Sequence, residues 1–162
     1  MRLTTHADQF ANPAWSPDGR LIAFVQGSSR VNRGEELSSE FFLRLRWVGA
    51  NGGAVQEITT TSNRGANRRM PRLSWSPDGE RLLFQETEGD TTRLASVKLD
   101  GTDRRHLAQN DVADEMVASP DGRYLAFKEY HNVYLAPLPQ AGERPVTITS
   151  RGSPTPVKQL SR

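Results

Sequence analysis

The chain has 162 residues, 35% of them apolar and 25% charged, with 13 Gly and 10 Pro. That length suits one globular unit whose core needs no metal or disulfide to hold it together. The absence of cysteine excludes a disulfide framework, a thiolate zinc site and a cysteine nucleophile, and the formal net charge is only +2. Eighteen of the cations are arginines spread along the whole chain, densest at Arg64, Arg68, Arg69 and Arg72, which read as a solvated loop. Nucleic-acid binding would need a basic stripe with interleaved aromatics, so no nucleic-acid partner is expected. No apolar run approaches the length of a membrane span. The opening Met1–Asp8 lacks the apolar stretch of a signal peptide, so none is expected within this chain.

In chain order, Arg2-Leu3-Thr4-Thr5 reads as a spare outer strand. A repeated phrase follows, first as Pro13-Ala14-Trp15-Ser16-Pro17-Asp18-Gly19-Arg20-Leu21-Ile22-Ala23-Phe24. It returns at Arg72–Phe84 around Ser76-Pro77-Asp78-Gly79, and at Glu115–Phe127 around Ser119-Pro120-Asp121-Gly122. The three cores begin at positions 16, 76 and 119, spacings of 60 and 43 residues. The shorter spacing matches a four-stranded propeller blade of roughly 40–45 residues, and the longer one a blade with an insertion.

The phrase is a strand–turn–strand by its chemistry. Proline presets φ for the first central position of a turn, and aspartate bonds its own backbone nearby. Glycine supplies a positive φ without a steric penalty. The runs after each turn, Leu21–Val25, Leu82–Phe84 and Tyr124–Phe127, do not alternate and so predict strands covered on both faces. Third strands follow at Phe42–Val48, Arg93–Leu99 and Asn132–Ala136. Outer strands are expected at Val55–Thr59, Arg105–Ala108 and Val157–Leu160, with a hairpin turn at Gly49–Gly53. The reading is an all-β chain, a partial propeller of about three four-stranded antiparallel blades at 12–60, 71–109 and 114–161. Three blades are fewer than the four to eight of a closed propeller. The chain therefore reads as one segment of a larger propeller, with an apolar face left open on each terminal blade.

The Trp15–Phe24 string and its echoes at Trp75–Phe84 and Ala118–Phe127 resemble the TolB-like, WD-type propeller repeats. The likeness spans about residues 2–160. Such repeats occur in the periplasmic TolB protein, in tricorn-type proteases, in prolyl-oligopeptidase-like peptidases and ahead of some amidohydrolase domains. Pro13–Arg33, Phe41–Gly53, Ser119–Pro139 and Pro156–Arg162 look most like the propeller region of the amidohydrolase-linked members. The resemblance implies a periplasmic or secreted protein and a non-catalytic propeller that gates or docks substrate for a metal-dependent hydrolase. Its partners would be the remaining blades and a catalytic domain of the parent chain. The alternative is a TolB-like scaffold that binds a protein partner. The metal-binding histidines of those enzymes lie in a barrel domain, so no catalytic residue carries over.

The residues themselves offer little chemistry. His6, His106 and His131 have no metal-ligand spacing, so no metal or other cofactor is expected. Ser119, Asp121 and His131 can be written as a triad, but the first two belong to a turn that recurs without histidine, and triads are defined by geometry. Asp18, Asp78 and Asp121 read as turn-formers rather than catalytic carboxylates, and Glu35, Glu36 and Glu40 as part of a solvated insertion. Trp15 and Trp75 before the turn, and Phe24, Phe84 and Phe127 after it, are expected in the inter-blade core because they recur in each repeat.

Overall fold

Each Ser-Pro-Asp-Gly phrase closes a hairpin around its serine. The Ser16 hydroxyl donates to Asp18 Oδ1 at 2.6 Å and accepts the Leu21 N–H at 2.9 Å. Gly19 N–H donates to Ser16 O at 2.9 Å, and Ser16 N–H to Leu21 O at 2.9 Å. The same four bonds recur around Ser76 and Ser119. Every polar backbone group that the reversal would otherwise orphan near the serine is thereby satisfied.

These turns sit in a computed structural model that describes residues 3, 10–27, 42–65, 70–111, 113–140, 143–149 and 158–160. The described residues contain strands and no helix. The first unit runs β1 (Phe10–Trp15), β2 (Leu21–Gln26), β3 (Phe42–Gly49) and β4 (Gln56–Gly65). The second runs β5 (Leu73–Trp75), β6 (Arg81–Gly89), β7 (Thr91–Lys98) and β8 (Arg105–Asn110). The third runs β9 (Ala113–Ala118), β10 (Tyr124–Glu129), β11 (Asn132–Pro137), β12 (Val146–Thr147) and β13 (Lys158–Gln159). Within each unit the neighbours pair antiparallel in chain order, except that β12 leaves its unit. The end of β4 runs parallel to the end of β6, so the eight strands of the first two units share one sheet, to which β12 adds a ninth. The chain is a partial β-propeller of three blades.

The core lies between the blades. Successive strand residues point to opposite faces, so Leu82 and Phe84 of β6 pack toward the first unit, with Ala23, Val25, Leu43 and Leu45. Leu83 of the same strand packs toward the third, with Met116, Leu125 and Phe127. Phe84 and Phe127, each five residues past the turn glycine and three past the start of its strand, thus each face the preceding unit. Trp75 is also held there, donating its indole N–H to Ala14 O at 3.0 Å, and Asn12 donates to Pro71 O at 2.8 Å.

Three sequence expectations need correction, and one pairing lies outside the repeat pattern. The strand at Tyr124–Glu129 does alternate: Leu125, Phe127 and Glu129 are buried while Tyr124, Ala126 and Lys128 are not, because among the described residues only one of its faces packs on another unit. The outward face of the first blade is not an open apolar surface. Phe24 is buried, with the Phe10 ring edge-on at 5.3 Å, and the facing β3 positions carry Arg46 and Arg44, ion-paired with Glu57. Trp15 is not core: it is 60% exposed where Trp75 is 6%, since no unit precedes it among the described residues. Finally, β12 pairs parallel with β8, a strap that two residues of sequence do not announce. It seats Ile148 in the second interface, where Asn110 donates to Ile148 O at 2.7 Å. Of the spare strand at Arg2–Thr5, only Leu3 is among the described residues, and it is not in a strand; Val157 lies outside them.

The inter-blade placement has a direct consequence. Phe84→Ala should cost about 3–5 kcal/mol, the usual range for emptying a buried phenyl site, measured by chemical unfolding. Phe10→Ala, which removes only an edge contact on the outward face, should cost less than half of that.

Candidate functional site

Two places in the array gather polar chemistry, at opposite ends of the blades. The first is the rim formed by the repeated turns. Gly19, Gly79 and Gly122 have φ of 70°, 73° and 69°, the left-handed region that favours glycine. Consecutive turns lie side by side: a Cβ built on Gly79 would meet Pro17 Cδ at 3.6 Å, and one on Gly122 would meet Pro77 Cγ at 2.9 Å. Pro17 and Pro77 therefore each rest against the glycine of the next turn. Asp18, Asp78 and Asp121 are held well below the ordinary carboxylate range, first by the serine hydroxyl and then by a backbone N–H two residues on. A carboxylate so bonded is a turn component and a poor proton acceptor. Between the second and third turns lies a cleft of about 220 Å³, with Trp75, Pro77 and Leu138 on its walls. Arg81 and Arg105 at its edge are both bound by Asp103.

The second place is a cleft of about 410 Å³ between the first two blades, lined by Ser62, Glu86, Glu88, Arg93, Arg104 and His106. β6 supplies the carboxylates: Glu86 continues the Leu82–Phe84 face, and its carboxylate is almost fully buried. Arg104 binds one oxygen of Glu86 and also donates to Thr60 O at 3.0 Å, while its guanidinium lies 5.1 Å over the Phe84 ring. His106 Nε2 lies 3.0 Å from the other Glu86 oxygen. Arg93 and Glu88 form a looser pair at 3.6 Å, nearer the solvent. Burial holds the His106 imidazole below its ordinary value, reinforced by the guanidiniums of Arg93 and Arg104. An imidazole so held is neutral near pH 7, and its Nε2–H donates to the carboxylate that Arg104 also binds.

The structure does not bring the written triad together. Ser119 and Asp121 stand at one end of β10 and His131 follows its other end, a strand length of about 20 Å away. His6, Glu35, Glu36 and Glu40 lie outside the described residues, as do Arg68 and Arg69. Arg64 lies over the Phe42 ring at 4.6 Å, and Arg72 pairs with Glu115 at 3.4 Å. Among the described residues, no group of three or more His, Asp or Glu is placed to hold a metal ion. The Glu86 cluster is not evident from the sequence, although one signal marks it: a carboxylate two residues past Phe84 continues the inward-facing positions of a buried strand and so requires a cation.

No known family profile matches the chain. No curated protein matches it either. Solved structures do. The β-propeller domain of the Trilobed protease from Pyrococcus furiosus, described as having an open velcro topology, aligns at 13% identity and TM-score 0.53 over 82% of this chain and 41% of that one. TolB from Acinetobacter baumannii aligns at 14% identity and TM-score 0.50 over 98% of this chain and 45% of that one. A prolyl endopeptidase aligns at 13% identity and TM-score 0.55 over 95% of this chain and 27% of that one. The chain thus spans less than half the length of each. The fold is that of TolB and of the propeller domains of peptidases.

Two measurements probe these sites. Replacing the turn glycines with alanine should cost on the order of 1–2 kcal/mol for the left-handed backbone, with Gly122→Ala the worst because its Cβ would also strike Pro77. Equal losses at Gly19 and Gly122 in chemical unfolding would deny the stacked rim. For His106, a folded-state value below 6.5 contributes stability that is present above pH 6.5 and lost as pH falls through the folded value. The unfolding free energy of the wild type should therefore drop more steeply from pH 7 to 5 than that of His106→Gln.

Proposed function

We propose that this chain is the non-catalytic propeller part of a larger hydrolase, with an amidohydrolase-like parent, and that it docks or gates substrate beside the catalytic domain. The observation that carries the reading is the state of the Glu86 cleft. Its buried carboxylate already serves Arg104 and His106, so the cleft offers charge and hydrogen bonds for binding but no free base beside a nucleophile. The exposed Arg93–Glu88 pair is the point where a charged group of the substrate would exchange partners. The partners in this reading are further blades and a catalytic domain of the parent; neither nucleic acid nor a membrane is among them. A periplasmic or secreted location accompanies it.

A TolB-like periplasmic scaffold for a protein partner is the second reading. It is favoured by the alignment of nearly the whole chain with TolB. Purified chain supplied with divalent metal ions should not turn over peptides or cyclic amides. Turnover that is lost in His106→Ala or His131→Ala would overturn the non-catalytic reading. Reading the gene beyond Arg162 separates the other two: more blades and then a His-x-His metal motif support the hydrolase, and a stop after the propeller supports the scaffold.

A further inference from the structure

One cation in the cleft between the first two blades lacks an acceptor. Arg93 stands directly opposite Glu86 across the β6–β7 pair, where opposite charges ordinarily meet. Glu86 is already taken: Arg104 holds one of its oxygens, and His106 Nε2 lies 3.0 Å from the other. Arg93 is left to Glu88, whose Oε2 is 3.6 Å from Nη1, close enough for an ion pair but too long for a hydrogen bond. A guanidinium carries five N–H donors, and among the described residues none of those on Arg93 is hydrogen-bonded. Its side chain is nevertheless mostly withdrawn from water, 28% exposed against 61% for Glu88. Such a group is costly to bury unless an acceptor reaches it. Burial, then the charges of Arg93 and Arg104, hold the His106 imidazole below its ordinary value although Glu86 lies beside it. The positive side of the cleft is therefore felt by its neighbours. At about 410 Å³ the cleft also falls within the roughly 300–1,000 Å³ of small-ligand pockets.

We propose that this cleft binds a carboxylate group of a peptide, which takes the Arg93 guanidinium in place of Glu88. Exposure decides why the incoming charge is negative. Glu88 stands mostly in water and can release Arg93 at little cost, because exposed ion pairs are weak. Arg93 cannot be released in the same way, so a ligand ammonium on Glu88 would strand the more buried partner. A carboxylate can accept two parallel N–H bonds from one guanidinium, which Glu88 at 3.6 Å does not. Arg104 and His106 remain with Glu86 and form the fixed wall. Ser62, its hydroxyl donating to Thr87 O at 3.2 Å, lines the side of the first blade. The proposal rests on the reading of the Glu86 cleft as a docking place and gives the docked substrate an acidic group; it does not depend on the chemistry of the parent.

Histidine ring signals in two-dimensional NMR of the purified chain test it, with His106 as reporter and His131, in the third blade, as reference. The probe is the peptide acetyl-Ala-Glu-Ala-amide, compared with its Gln counterpart and with acetyl-Ala-Ala-Ala bearing a free C-terminus. A carboxylate peptide should shift His106 and leave His131 in place, and the Gln peptide should shift neither. The tighter of the two carboxylate peptides names the source as side chain or chain end. Arg93→Gln should weaken binding about tenfold or more, the loss expected for hydrogen bonds to a charged group. Glu88→Gln, a change at an exposed position, should tighten binding about two- to fivefold by removing the competitor. A Gln peptide that binds as well as the Glu peptide, or a Glu88→Gln variant that binds no more tightly, overturns the carboxylate assignment and leaves the docking reading standing. No response of His106 to any of the three peptides overturns the docking reading, and this proposal with it.

Discussion

Sheet packed on sheet is the interaction that the rest of this chain depends on. A single sheet leaves its apolar face in water until another element covers it, and the blades here cover faces of one another. The middle blade shows the condition most fully, since β6 buries residues on both faces over most of its length. Phe84 and Phe127 are the recurring anchors: each is set three residues after its Arg81 or Tyr124 strand start and lies against the preceding sheet. Burial of one such side chain contributes about 1.5–3 kcal/mol, which is large against the net stability of a domain of this size.

That packing in turn fixes what the polar groups do. The turn rim places Pro17 and Pro77 each on the following glycine because the sheets that carry the turns are already stacked. Between the first two sheets the same stacking buries Glu86, and burial of a carboxylate is tolerable only with partners at hand. Arg104 and His106 supply them from β8 and the turn before it. The cluster costs the chain desolvation and gives it a charged, fixed surface at an inter-blade cleft. Its strongest groups are engaged with one another, Glu86 holding both Arg104 and His106.

The all-β character and the repeated blade are legible in the sequence because they rest on local chemistry. Proline and glycine fix backbone torsions wherever they stand, and a run such as Leu82-Leu83-Phe84 can be covered on both faces only in a stacked array. What depends on the neighbour is not legible. Trp15 and Trp75 sit in the same phrase yet differ from 60% to 6% exposure, because among the described residues only Trp75 has a preceding unit to pack against. Tyr124–Phe127 reads as two-sided although only one of its faces is buried among the described residues, since alternation between Tyr124 and Leu125 is invisible to a scale that counts both as apolar. β12 is two residues long, and although Val146 and Thr147 both favour strands, its parallel partner in another unit is set by the edge of β8 and not by its own residues. The Glu86 cluster draws on residues from two blades, and only the stacking brings Ser62 to the same cleft as His106.

The strap formed by β12 completes this logic, because it joins blades by a route that the repeat does not contain. Leaving the third unit, the chain crosses to the outer edge of the second, where Val146 and Thr147 pair with Ala108 and Gln109. An outer edge is otherwise a row of unpaired backbone groups that invites pairing with another chain. Ile148 then enters the second interface fully buried, with its N–H on Gln109 O and its carbonyl on Asn110. Asn110 also reaches Glu129 at 3.4 Å, so one amide ties the strap, the second blade and a buried carboxylate of the third. The first interface has no such strap among the described residues and is joined instead by the shared sheet of β4 and β6. Two different devices thus reinforce one repeated packing mode, each at the joint where the other is absent, and both leave the turn rim free to make the same proline-on-glycine contact.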